Sequence, residues 1–162
     1  MDIKFFKFIK ERKVNVAHKA ACCVKIIAKG SEFIPSFQTR GAAGADLRSF
    51  ENYTIEPNKV VMVDAGFRCE IPEGYHAKIV ARSSMGKKGI IVPNAPGIID
   101  SDYTGDIRVL LLNLSGEPFE IQKGDRIAQW ILEKNIEYAW QEVSEIGETD
   151  RDPAGFGTTG RR

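Results

Sequence analysis

The chain has little of what usually advertises a function. Its three cysteines, Cys22, Cys23 and Cys69, are two adjacent residues and one alone, which builds no disulfide framework and fits a reducing compartment. Histidine occurs only at His18 and His76, with no His/Cys ligand spacing around them, and this argues against a structural zinc site. No run approaches the ~20 apolar residues of a membrane span, so no membrane partner is expected. Net charge is missing too. The 23 Lys+Arg against 22 Asp+Glu leave +1, too little to grip a long polyanion through many phosphate contacts, so no nucleic-acid partner is expected. A small anionic ligand stays open. Any metal would be a hard cation held by carboxylates or by the ligand itself, as magnesium is.

What is present is the composition of a folded domain. At 162 residues, 43% hydrophobic and 28% charged, the chain suits one domain with its own core. Residues 1–23 form a basic extension, with Lys4, Lys7, Lys10, Arg12, Lys13 and Lys19 against Asp2 and Glu11. Lysines interrupt Phe5, Phe6, Phe8 and Ile9, so there is no secretory core, and a plain extension or short amphipathic helix fits. With the free thiols this places the chain in the cytoplasm, an organellar or nuclear address in the extension being left open.

Residues 24–138 read as a β domain. Short apolar runs predict strands over 24–28, 45–48, 60–63, 67–71, 75–81, 90–92, 107–114, 119–121 and 126–132, with no stretch of helical period and length between them. Turn signals separate them at Pro57–Asn58, Pro72–Gly74, Ser115–Glu117 and Lys123–Asp125. The fold class is therefore all-β, a sandwich, barrel or jelly roll. The run IRVLLLNL, residues 107–114, predicts a strand covered on both faces. Residues 139–162 form a Gly-rich arm, in which Phe156 offers a stacking ring among the backbone N–H groups and hydroxyls of Gly155–Gly160.

Inside the domain several segments carry chemistry. Arg82-Ser83-Ser84 follows a strand, where the serines either cap a short helix or turn its free N–H groups and hydroxyls on a phosphate beside Arg82. Asp100 comes after apolar residues and before a turn. It is either an Asx-turn residue or a half-buried carboxylate, desolvated and able to act as a base toward water. Tyr103 is either core or the paving of a ring-binding pocket. Ala43–Leu47 and Gly124–Gln129, taken singly, are a glycine and an acid before a strand and a turn entering a strand.

Taken in order, the segments AGADL, ARSSMG, PGIIDSDYTGD, GDRIAQ and GFGTTG resemble the five motifs of the trimeric dUTPase family, and the resemblance covers residues 24–162. It implies a β jelly roll that assembles as a homotrimer with shared active sites. It also implies magnesium-assisted hydrolysis of dUTP to dUMP and pyrophosphate, which keeps uracil out of DNA and supplies dUMP for thymidylate synthesis. By motif, Asp100 resembles the base that activates the attacking water, and Asp46 the acid that holds magnesium through water. Ser83, with Ser84 beside it, resembles the hydroxyl donor to the phosphate chain, and Arg82 and Gln129 resemble phosphate-contacting or subunit-linking groups. Tyr103 resembles the ring under deoxyribose and Asn94 the uracil reader. Phe156 resembles the ring that covers uracil, with Arg151, Gly157, Thr158 and Thr159 around it and the γ-phosphate. Arg151 is followed by Asp152-Pro153-Ala154 where the family has glycine. The related dCTP deaminases carry a catalytic Glu in the strand after the third motif; here Leu110 stands in that place, and leucine cannot shuttle a proton.

Overall fold

Alternation of apolar and polar side chains, the period of a strand, decides which face of each segment turns inward. In a computed structural model, which describes residues 22–149, this gives ten strands. They are β1 (Lys25–Ala28), β2 (Ala45–Arg48), β3 (Tyr53–Ile55), β4 (Val60–Glu70), β5 (Tyr75–Ala81), β6 (Ile90–Ile91), β7 (Gly97–Ile99), β8 (Asp106–Asn113), β9 (Phe119–Ile121) and β10 (Arg126–Lys134). Among the described residues, helix is confined to one 3-10 turn, Ser31–Phe33, and one α-helical turn, α1, Ser83–Gly86. The all-β expectation holds.

The strands form two four-stranded sheets, in the orders β1-β4-β8-β6 and β2-β10-β5-β7, and a two-stranded ribbon, β3-β9. Their inner faces share one core, in which Leu47, Ile55, Val63, Phe67, Ile107 and Ile127 are at most 2% exposed. Each large apolar side chain so buried contributes roughly 1.5–3 kcal/mol. Asn113 is buried with them and fully engaged. Its Nδ2 donates to the carbonyls of Ile55 (2.7 Å) and Glu117 (2.8 Å), and its Oδ1 accepts from the N–H and hydroxyl of Ser115.

Three expectations change. The strands expected over 60–63 and 67–71 are one strand, β4, with a register shift against β8 between Asp64 and Arg68. Gly66 makes the irregularity possible: its φ of +75° favours glycine, and a Cβ there would lie 2.9 Å from the Phe33 ring. Two short strands, β3 and β7, were not expected, because each is fixed by a partner distant in sequence, β9 and β5. Lastly, β8 is covered on one face only. Ile107, Val109 and Leu111 are buried, whereas Leu110 and Leu112 are half-buried opposite Met62 and Val60, each 52% exposed.

After β10 the chain leaves the sheets at Asn135, four residues before the expected start of the arm. Residues 135–149 are extended without strand pairing, and Ile136, Tyr138, Trp140 and Ile146 are 75–91% exposed. Residues 1–21, which hold nearly all of the basic extension, lie outside the described residues.

Candidate functional site

One group of expected residues gathers where β2, β5 and β10 lie side by side. Gln129 of β10 is in register with Asp46 of β2 on one side and Val80 of β5 on the other. Gly44 permits this closeness, since a Cβ on it would lie 3.1 Å from Cβ of Gln129. The strand β5 ends at Ala81, and Arg82 is the first residue beyond it.

Asp46 is the centre of the group, 2% exposed and surrounded by donors. Arg82 Nε and Gln129 Nε2 each lie 3.2 Å from its Oδ1, and Arg126 lies 3.1 Å from its Oδ2. Arg82 also donates to the backbone carbonyl of Arg126 at 2.9 Å, which ties the two arginines together. A carboxylate this deep is tolerable only when paired and hydrogen-bonded, and here it is both. Two guanidiniums against one carboxylate leave one positive charge, suited to an anion. Beside the group opens a cavity of about 290 Å³, lined by Arg82, Ser84, Lys88 and Arg126 and also by Glu120 and Asp125.

The sequence reading missed Arg126, although it stands inside GDRIAQ. The available signal was Asp46 itself, since an acid between apolar neighbours on a strand requires a cationic partner. The capping alternative for the serines is corrected as well: the residue capping α1 is Arg82, no side chain caps it, and Ser83 and Ser84 are exposed within the turn.

A second group lies along β7. Asn94 sits in the exposed turn that carries the chain from β6 in one sheet to β7 in the other, closed by the Ala95 N–H on the Val92 carbonyl (3.1 Å). The side-chain amide of Asn94 lies over Gly97, where a Cβ would come within 3.2 Å of Nδ2. Past β7, Asp100 begins a turn in which its carbonyl accepts the Tyr103 N–H at 3.2 Å. Tyr103 is 45% exposed, its hydroxyl donating to the Asp106 carbonyl at 2.9 Å. The ring folds over Gly105, where a Cβ would lie 2.6 Å from the hydroxyl. Asp100 is exposed. The half-burial expected of a base in that position is therefore not supplied by this chain alone.

Asp100 and Arg82 do not meet. Ile99 pairs with Ala77 and Gly97 with Ile79, so Asp100 emerges near the start of β5 while Arg82 stands past its far end. Five to six residues of extended chain separate them, about 16–20 Å at ~3.3 Å per residue.

The cofactor expectation can be tested on Asp46. A carboxylate offers about four lone-pair sites; Arg126 and Gln129 donate to Asp46 and the Arg82 guanidinium pairs with it, which leaves room for a hydrogen bond from a water shell. Among the described residues no three His, Cys, Asp or Glu side chains converge as a metal cage. The set fits magnesium carried in by phosphates, which is how that ion is commonly bound.

Other candidates fall away or lie elsewhere. Cys69 borders a cavity of about 420 Å³ with Arg68 and Thr104, but burial pushes its thiol up to about 11, which makes it a poor nucleophile at neutral pH. Leu110 brings no titratable group to the outer face of β8. Arg151, Phe156, Gly157, Thr158 and Thr159 lie outside the described residues.

With this geometry in place, comparisons with known proteins agree among themselves. A family model described as dUTPase matches residues 32–160. The deoxyuridine 5'-triphosphate nucleotidohydrolase of Zymomonas mobilis is 46% identical over 127 residues, covering 78% of this chain and 87% of the relative. Among solved structures, a dUTPase of Staphylococcus bacteriophage 80alpha, bound to dUpNHpp, superposes with a TM-score of 0.77 at 21% identity, covering 85% of this chain and 98% of that one. A dUTPase from phage phi11 of S. aureus, whose structure concerns the coordination of a structural Mg(II) ion, gives 0.69 at 20% identity over 76% of this chain and 98% of its own.

Proposed function

The chain belongs to the dUTPase family, and on that premise we propose that it hydrolyses dUTP to dUMP and pyrophosphate in a site shared between copies of a jelly-roll homotrimer. The observation that carries the shared site is the separation of Asp100 from Arg82 along β5, because one chain does not bring both to the same phosphate.

In this reading the Arg82–Asp46–Arg126–Gln129 group is the phosphate end. Its guanidiniums and the Ser83 and Ser84 hydroxyls hold a triphosphate of about four negative charges, and Asp46 keeps the arginines in place before substrate arrives. Magnesium carried in with the triphosphate would supply further charge neutralisation, and Asp46 would hold it through water. Asp100, contributed by a second copy, takes a proton from a water whose oxygen attacks the α-phosphorus. The bond from that phosphorus to the bridging oxygen breaks, and pyrophosphate leaves with the oxygen. Asn94 reads the uracil edge by hydrogen bonds, a discrimination of about 10⁴ or more where the wrong edge leaves buried groups unpaired. Tyr103 stacks under deoxyribose and leaves no room for a 2′-hydroxyl. Phe156 covers the uracil ring, and Arg151, Gly157, Thr158 and Thr159 close over the phosphates, which excludes water.

Two surfaces support assembly. The outer face of β4 and β8 presents Val60 and Met62, exposed, beside the half-buried Leu110 and Leu112, and residues 135–149 carry apolar side chains away from their own core. Burying such surface against other copies recovers the hydrophobic term that one chain leaves unused. Burial of Asp100 in the same contact would supply the desolvation a base needs.

The test is a panel of nucleoside triphosphates with magnesium, scored for pyrophosphate against ammonia. The expected result is pyrophosphate from dUTP with little from dCTP, dTTP or UTP, and no ammonia. Ammonia from dCTP, or no turnover of dUTP, would overturn the reading.

A further inference from the structure

We propose that Lys88 is a further phosphate-binding residue, which grips the pyrophosphate end of the nucleotide and the inorganic pyrophosphate produced from it. The inference rests on the dUTP-hydrolysing reading and adds to it a residue outside the five motif roles.

Lys88 lines the same cavity of about 290 Å³ as Arg82, Ser84 and Arg126. The arginines there are partly committed, Arg82 to Asp46 and the Arg126 carbonyl and Arg126 to Asp46, so they form a fixed grip. Lys88 is the uncommitted cation. Among the described residues no carboxylate pairs with it, and its ammonium rests 5.5 Å from the centre of the Phe119 ring, a weak hold. The two carboxylates on the cavity wall are engaged elsewhere: Glu120 accepts from the Thr54 hydroxyl (2.9 Å) and Asp125 from the Gln122 N–H (2.9 Å).

The backbone fixes where this cation starts from. The Lys87 N–H donates to the Ser83 carbonyl and the Lys88 N–H to the Met85 carbonyl, both at 2.9 Å, so Lys88 keeps a set position relative to Arg82. Met85 and Ile90, 7% and 0% exposed, anchor the turn on both sides. Gly89, at φ +78°, turns the chain into β6 where a Cβ would press to 3.1 Å on the Ser115 nitrogen. The α-carbon is thus held, and the four-carbon stem keeps its rotatable bonds. A mobile point charge beside two fixed guanidinium forks suits a product whose charge shifts as it departs.

The experiment uses the full chain, Lys88→Met and Lys88→Arg, with thermal melts to check folding. Binding of inorganic pyrophosphate is measured by calorimetry, and inhibition of dUTP hydrolysis by pyrophosphate and by dUMP is measured alongside. Lys88→Met is expected to weaken pyrophosphate binding about tenfold while dUMP inhibition stays within about twofold, and Lys88→Arg retains most of the affinity. Unchanged pyrophosphate affinity in Lys88→Met, or an equal loss toward dUMP, overturns the proposal. Should the unmodified chain fail to turn over dUTP, the functional reading falls, and the calorimetric comparison still decides the role of Lys88.

Discussion

The two ends of β5 hold candidate residues in opposite conditions. At the far end Asp46 is buried and receives Arg82, Arg126 and Gln129, so its geometry is complete within one chain. At the near end Asp100 is exposed, and Tyr103 is nearly half-exposed on a turn. An anion grip can be finished before assembly because its partners come from neighbouring strands. On the proposed shared site a base cannot, because the surface that would desolvate it comes from another copy. In the proposed function the completed end binds the phosphates, and the open end gains its chemistry from a neighbouring copy.

The contrast can be broken most severely at the open end. Asp100→Asn is expected to lower turnover by about 10³-fold, within the range for loss of a general base, while calorimetry still detects dUTP binding. Ordinary turnover by that variant would remove Asp100 from the reaction. At the locked end, Asp46→Ala leaves two arginines without their shared acceptor. Urea unfolding should show a loss of about 2–4 kcal/mol, toward the lower figure because the Arg126 side chain is 39% exposed. A loss below about 0.5 kcal/mol would show that the cluster is not holding this corner of the sheet.

Smaller changes sharpen the same comparison. Gly105→Ala puts a methyl group where the Tyr103 hydroxyl lies 2.6 Å away, so the ring must move. Discrimination of dUTP from UTP should fall by about tenfold, with kcat less affected. Cys69, on β4 and outside both groups, provides a control. Its thiol holds a proton more tightly in the folded chain than its ordinary value of 9.0 and is pushed up to about 11. That contribution to stability is complete below pH 9.0 and is lost as pH rises toward about 11, a slope that Cys69→Ala should lack in unfolding measured across that range.

Local pattern carried much of this architecture. The strands at Ala45–Arg48, Tyr75–Ala81 and Phe119–Ile121 end where their apolar runs end, and Pro72–Gly74 and Lys123–Asp125 are turns as expected. Pattern failed where a distant partner decides. Tyr53–Ile55 is a strand because Phe119–Ile121 lies beside it, and Gly66 reads as a break although β4 continues through it as an irregularity. The site divides in the same way. Motif order singled out Asp46, Arg82 and Gln129, which the fold brings together, and Asp100, which it leaves apart, but Arg126 meets Asp46 across 80 residues of sequence, a contact no local spacing encodes. Nor does local pattern show that Asp100, expected to be half-buried, stays exposed in the single chain.

The claim that the two ends belong to one site only across copies is tested most directly by complementation. Asp100→Asn and Arg82→Ala, each expected to be nearly inactive alone, are co-expressed and the mixed assembly is purified by two tags. Pairing an intact Asp100 from one chain with an intact Arg82 from another should restore dUTP hydrolysis at about a third of the sites, because a mixed trimer of either composition holds one such pair among its three sites. Activity no higher than that of either variant alone, in an assembly shown to contain both chains, would contradict the shared site.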